Sequence, residues 1–292
     1  MSLRPGPPEA LPDGWPLAEA SHSAAVSPYR WHVAMLGSGP DMIMLHGAGA
    51  SAHSWGGLAP ILGQSYRVIA PDLPGHGITR GRGMRAGLVD MTTDLLALLA
   101  AIGAQPSVLV GHSAGAALAL SLAQRLAQPP RAIVVLSGAL ENFRGLAGVM
   151  FPIMARVLAL NPFAAPFLAR TAQSPGAVER VINGTGTSLP AEAMAPYRHL
   201  ISDRRHVSGT LAMMASWSLD ALTKELQGID IPTLYLHGAR DEAVRPAVAH
   251  RAAGAMPRAE IEILDQLGHL IHEEAPDQIA ARIESFLAKH AT

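Results

Sequence analysis

Residues 108–115 read Val-Leu-Val-Gly-His-Ser-Ala-Gly, and the rest of the chain is organised around them. The apolar run at 107–110 has the pattern of a buried strand. Gly111-His112-Ser113-Ala114-Gly115 breaks it, and the Ala/Leu-rich stretch 116–127 contains no helix breaker. Strand, sharp turn and helix with Gly-x-Ser-x-Gly at the turn is the setting that presents a serine as a nucleophile. Completing the turn in one or two residues puts the serine in a strained backbone region, at a cost of about 1–3 kcal/mol. Gly111 and Gly115 lack the Cβ that would keep strand and helix apart. The Ala114 N–H then lies at a helix N-terminus, where orphan donors and the dipole favour negative charge. The sequence thus predicts Ser113 as nucleophile and Ala114 as one oxyanion donor.

Working outward, 16–26 and 29–36 read as antiparallel strands. The wholly apolar strand 42–45 ends in His46-Gly47-Ala48-Gly49-Ala50, and 66–70 is a strand leading into Asp72-Leu73-Pro74-Gly75-His76-Gly77. A short helix is expected at 55–62. Another at 91–102 is amphipathic through Met91, Leu95, Leu98, Leu99 and Ile102. Beyond the central motif, 132–136, 233–236 and 260–264 read as strands, with helices at 246–256 and 276–289. Eight strands, several almost continuously apolar and most alternating with helices, imply an α/β architecture: a mostly parallel sheet covered on both faces. The rhythm stops after Gly138. From 140 to about 222 only Met-, Ala- and Leu-rich helical segments occur, at 143–160, 162–173, 175–183, 190–199 and 206–222. The expected organisation is a core of 1–138 and 223–292 with a helical cap, 139–222, over the active-site face.

A serine nucleophile needs a base, and the base needs an orienting acid. Asp241 lies just past the strand 233–236 and His269 just past the strand 260–264. Ligands of open α/β sheets bind beyond the carboxyl ends of strands. The order Ser113, Asp241, His269 therefore reads as a catalytic triad. Asp265 is a rival acid and His272 a rival base, and His46, His112 and His237 also flank motifs. The glycine-bearing loop after 42–45 supplies the second oxyanion donor, Ala48 N–H. Asp72 and His76 are expected to hydrogen-bond loop backbone. The cap residues Met150, Met154, Met213 and Trp217 are candidates for an adaptable apolar substrate pocket, with core filling as the alternative.

Of the 292 residues, 49% are hydrophobic and 15% charged, and the formal net charge is −1. No basic footprint points to nucleic acid. The absence of cysteine excludes disulfides, thiolate metal sites and a cysteine nucleophile, and fits a reducing, cytoplasmic setting. The N-terminus has no apolar segment of signal-peptide length. No run reaches the ~18 apolar residues of a membrane span, although so apolar a chain is compatible with peripheral membrane association. No metal-ligand spacing or phosphate-cradling loop occurs, so neither metal nor cofactor is expected.

His46-Gly47, Asp72-Leu73-Pro74-Gly75-His76-Gly77, Gly111-His112-Ser113-Ala114-Gly115, Asp241 and Gly268-His269 together resemble the α/β-hydrolase superfamily from about residue 30 onward. More narrowly, Leu11-Pro12-Asp13-Gly14-Trp15-Pro16, residues 46–55 and residues 111–117 are similar to the magnesium-chelatase accessory proteins of bacteriochlorophyll synthesis. That resemblance implies a role at magnesium insertion into protoporphyrin IX, with a tetrapyrrole-like ligand and chelatase subunits as partners. Three functions follow as expectations: a serine hydrolase of an ester or similar acyl bond, a non-catalytic tetrapyrrole-binding or chelatase-partner protein, and a generic carboxylesterase, haloperoxidase-like enzyme or carbon–carbon bond hydrolase. A dehalogenase is disfavoured because the turn carries Ser rather than Asp.

Overall fold

Every residue of the strands Asp41–Leu45 and Ala132–Leu136 is buried. Strands apolar on both faces need cover on both, and alternation with helices supplies it. The computed structural model describes residues 3–83, 85–142, 161, 164–171, 174 and 176–290. Its strands are β1 (Arg4–Pro5), β2 (Ser21–Val26), β3 (Tyr29–Leu36), β4 (Asp41–Leu45), β5 (Arg67–Pro71), β6 (Arg80–Gly81), β7 (Pro106–His112), β8 (Ala132–Leu136), β9 (Thr233–Gly238) and β10 (Ala259–Leu264). They form one sheet in the order β1-β2-β3-β5-β4-β7-β8-β9-β10, with β6 paired to β3. From β5 to β10 along this order all pairs are parallel, whereas β3 runs antiparallel to β2 and to β5. The eight strands predicted from the sequence are present. The two additional ones, β1 and β6, are two residues long.

The helices are α1 (Leu58–Leu62), α2 (Leu88–Ala101) and α3 (Ala114–Ala123); then α4 (Ala164–Thr171), α5 (Ala177–Asn183), α6 (Met194–Ser202), α7 (Arg204–Ser216) and α8 (Asp220–Glu225); and finally α9 (Pro246–Gly254), α10 (Ile271–Glu274) and α11 (Pro276–Lys289). The two-residue period of a strand divides the core. Ile43 and Leu45 of β4 and Ile133 and Val135 of β8 pack with Leu95, Leu98, Leu118 and Leu122 of α2 and α3. Met42, Met44, Val134 and Leu136 pack on the opposite face with Leu58, Leu62, Ile279, Ile283 and Phe286 of α1 and α11.

Between β8 and β9 the described residues form helices α4–α8 and no strand. The expected helical segment 143–160, with Met150 and Met154, lies outside the described residues. Three expectations need correction. Residues 16–20 are not strand: Leu17 has φ 61° and Ala18–Ala20 is a 3₁₀ turn, so β2 begins at Ser21. The helix expected at 55–62 is a 3₁₀ turn, Ala52–Trp55, and then α1, separated by Gly56-Gly57. The helix expected at 206–222 is two helices, because Trp217 turns extended and the Ser218 hydroxyl accepts from Asp220 N at 3.4 Å.

The β7–α3 turn is packed too closely for any side chain at its two glycines. A Cβ added to Gly115 would lie 2.0 Å from Leu45 O, and one added to Gly111 would lie 2.4 Å from Gly115 O. Both obstacles are backbone atoms, which cannot rotate away. Gly115→Ala is therefore expected to lower stability by at least the ~1–3 kcal/mol of an overpacked core. Gly228→Ala, whose added Cβ meets nothing within 4 Å, should stay within ~0.5 kcal/mol of the unmodified chain. Paired thermal and urea unfolding curves check both.

Candidate active site

Ser113 lies between β7 and α3 with φ 52° and ψ −118°, a conformation L-residues rarely adopt. The strain is held by neighbours: Ser113 N donates to Leu136 O at 3.0 Å, and Ser113 O accepts from Ala116 N and Ala139 N, each at 3.1 Å. The side chain is half-buried. Across from it, the loop after β4 makes a tight turn, with Ala50 N donating to Gly47 O at 3.2 Å and Gly49 at φ +77°. A Cβ added to Gly47 would lie 3.0 Å from Ser113 Cβ and 3.0 Å from His112 Nδ1, so this loop crosses directly over the serine. Among the described residues, neither Ala48 N–H nor Ala114 N–H donates to a protein acceptor.

The ends of β9 and β10 deliver the other two residues. His269 Nδ1 donates to Asp241 Oδ2 at 2.7 Å. Asp241 Oδ1 accepts from the amides of Ala243 and Val244 at 2.9 and 2.7 Å, and His237 Nε2 stands 3.3 Å from Oδ2. Burial pushes the Asp241 carboxyl up, but the hydrogen bonds from His237 and His269 outweigh it and hold the group below its ordinary range. Asp265, the rival acid, is exposed. His272, the rival base, stacks on Trp55 and on His112, with Nε2 3.4 Å from Ser54 Oγ. His46 is committed to Gly47 O and Leu73 N.

His112 joins the two halves. Its Nε2 donates to His269 O at 3.1 Å, and the two rings lie 4.7 Å apart. The structure therefore brings the loops of Ser113 and His269 together and closes the His269–Asp241 link. Among the described residues, Ser113 Oγ makes no hydrogen bond to His269 Nε2. In ligand-free sites this bond often tightens only in the complex. Trp217 is partly buried at the end of α7. Met213, expected at the pocket wall, is only 1% exposed and packs in the core. It lies seven residues beyond the buried His206, so both fall on the inward face of α7.

Sequence reasoning missed the segment 185–188. Thr185 O accepts from Glu242 N at 3.1 Å, and Thr187 Oγ1 accepts from Leu270 N at 2.9 Å. A Cβ added to Gly268 would lie 2.3 Å from Gly186 C and O. This segment of the helical stretch thus braces the loops bearing Asp241 and His269, and only its closely spaced glycines hinted at it. Asp72 does the backbone work expected of it. It accepts from Ala52 N at 2.7 Å and Ile78 N at 2.8 Å, with His32 Nδ1 at 2.9 Å. Burial opposes its ionisation, but His32 and the Ala52 amide hold its carboxyl well below the usual range. His76 Nδ1 donates to Pro74 O at 3.1 Å. Among the described residues no three His, Asp or Glu side chains are grouped to hold a metal ion.

A family model described as the alpha/beta hydrolase family matches residues 42–282, and the chain belongs to that family. It is 41% identical to the magnesium-chelatase 30 kDa subunit of Rhodobacter capsulatus, across 96% of this chain and 99% of that protein. That relative bears out the narrower resemblance read from the sequence. A second relative, pyrrolizixenacetamide deacetylase of Xenorhabdus hominickii, is 27% identical across 86% of this chain and 92% of its own length. The solved epoxide hydrolase CorEH superposes with a TM-score of 0.76 at 21% identity, covering 92% of this chain and 98% of that one. That likeness shows the fold alone.

Four residues beyond His269, Glu273 accepts from the Tyr197 hydroxyl. Burial pushes its carboxyl from 4.5 up to about 8, against the hydrogen bond from Tyr197 and with the help of Glu274. Between those two values the folded chain keeps a proton that the unfolded chain has lost. Folding stability contributed by this group therefore falls as pH rises through that window. Glu273→Gln, which keeps an acceptor but cannot ionise, is expected to raise the unfolding temperature relative to the unmodified chain more at pH 8 than at pH 5. Thermal unfolding at both pH values checks this.

Proposed function

We propose that the chain is a serine hydrolase that cleaves an ester or related acyl bond of an apolar ligand, and that it serves magnesium insertion into protoporphyrin IX alongside magnesium chelatase. The observation that carries the hydrolase reading is the 2.7 Å bond from His269 to the buried Asp241, on a loop joined through His112 to the strained Ser113. In this reading Ser113 Oγ attacks the acyl carbon and His269 Nε2 takes its proton. Asp241 fixes the imidazole tautomer and stabilises its charged form. The oxyanion faces the amides of Ala48 and Ala114, and a missing donor of this kind typically costs about 10²–10³ in rate. The leaving group receives the proton from His269, and water repeats the sequence to free the acid. Residues 139–222 are the cap over this site, and residues 1–138 and 223–292 the core. The chelatase connection rests on the Rhodobacter capsulatus relative.

A second reading is a non-catalytic tetrapyrrole-binding or chelatase-partner protein on the same fold, since fold does not settle function. The chelatase name of the 41% identical relative favours it. The 27% identical deacetylase favours acyl hydrolysis.

Fluorophosphonate labelling and p-nitrophenyl ester turnover separate the two. The hydrolase reading expects labelling of the unmodified chain, none of Ser113→Ala, and a fall in kcat on the order of 10⁴ for Asp241→Asn. Labelling that is absent, or equal in Ser113→Ala, together with micromolar protoporphyrin binding and co-purifying chelatase subunits, would leave the carrier reading.

A further inference from the structure

The buried imidazole of His206, on α7, spans two loops of the sheet. Its Nδ1 accepts from Gly77 N at 3.0 Å, and its Nε2 donates to Gly49 O at 3.1 Å. One partner is a donor and the other an acceptor, so the ring is neutral with its proton on Nε2. Burial keeps it neutral by lowering its pKa to about 4. The rest of the helix face docks with it: a Cβ added to Gly209 would lie 2.0 Å from Gly75 O, and one added to Gly49 would lie 3.7 Å from Thr210 Cγ2.

The consequence follows from peptide planarity. The C=O of one residue and the N–H of the next share a rigid plane and point in opposite directions. By holding Gly49 O, His206 sets the direction of Ala50 N–H. That N–H donates to Gly47 O at 3.2 Å, which His46 Nδ1 also holds at 2.8 Å. Gly47 C=O shares its plane with Ala48 N–H. Two peptide planes thus connect the imidazole on α7 to the Ala48 amide over Ser113.

We propose that His206 is a positioning residue that aims the Ala48 N–H at the reacting carbonyl oxygen, so that α7 controls the oxyanion site from the helical stretch. This rests on the hydrolase reading. The effect belongs in kcat, because the oxyanion exists only along the reaction path.

The test compares His206→Phe, which keeps an aromatic ring but neither hydrogen bond, with His206→Gln, which keeps a donor and an acceptor. Ester turnover is normalised to sites titrated with fluorophosphonate. The expected result is a fall of about tenfold to a hundredfold in kcat per titrated site for His206→Phe, with KM little changed and partial recovery in His206→Gln. A purely structural role would reduce the number of titratable sites and leave kcat per site unchanged, which overturns the proposal. Should His206→Phe not fold, a normal kcat per titrated site in His206→Gln with a changed KM overturns it, and a reduced kcat with unchanged KM supports it. The ¹⁵N spectrum of His206 in Ser113→Ala needs no activity: the Nε2-protonated neutral tautomer supports the bridge, and a proton on Nδ1 overturns it. An unmodified chain that neither labels nor turns over ester overturns the hydrolase reading itself. The spectrum then still shows whether His206 bridges the loops.

Discussion

The structure depends on one steric constraint: α3 must begin almost on top of the end of β4. Gly115 makes this approach to Leu45 O, and Gly111 lets β7 turn beneath it. Between them Ser113 is driven to positive φ. Such a residue costs about 1–3 kcal/mol and persists only where its surroundings over-determine it. Here the backbone bonds to Leu136, Ala116 and Ala139 do so. The same closeness carries the loop of Gly47 across the serine. The strained hydroxyl, the helix N-terminus and the second amide are thus parts of one packing solution.

Around that point the polar groups are organised by two buried carboxylates. Asp72 is 1% exposed and Asp241 3%. Asp72 is surrounded by backbone amides and His32, and Asp241 by backbone amides, His237 and His269, and each is held below its ordinary range despite burial. The stability they contribute is present above the ordinary carboxylate pKa and is lost as pH falls through their folded values. By contrast His46, His53, His76, His112, His206 and His272 are pushed down by burial and stay neutral. His46 and His206 bond through both ring nitrogens and tie loops together, and the six leave little charge to disturb the pair of His269 and Asp241.

The fold was legible because its signals are local. Alternating strands and helices, glycines at the sharp turn and residues placed just past strand ends all follow from backbone geometry that a few neighbours determine. Asp241 and Asp265 follow different strands, and the structure bonds His269 to Asp241. The braces were not legible. Nothing near Gly186 in the sequence reveals that its backbone packs on Gly268, and nothing near His206 names Gly49 and Gly77 as its partners. Those contacts join segments up to 157 residues apart. For Met213 a methionine suits a core and a pocket equally, and the inward face of α7 packs it in the core. The break at Trp217 was missed because no proline or glycine marks it.

The most direct measurement of the central claim is a crystal structure of the chain after reaction with a fluorophosphonate. The account predicts phosphorus bonded to Ser113 Oγ, with a phosphoryl oxygen at about 2.7–3.1 Å from the amides of both Ala48 and Ala114 and the His269 imidazole facing the adduct while still bonded to Asp241. Phosphorus on another residue, or a phosphoryl oxygen turned away from both amides, would contradict it.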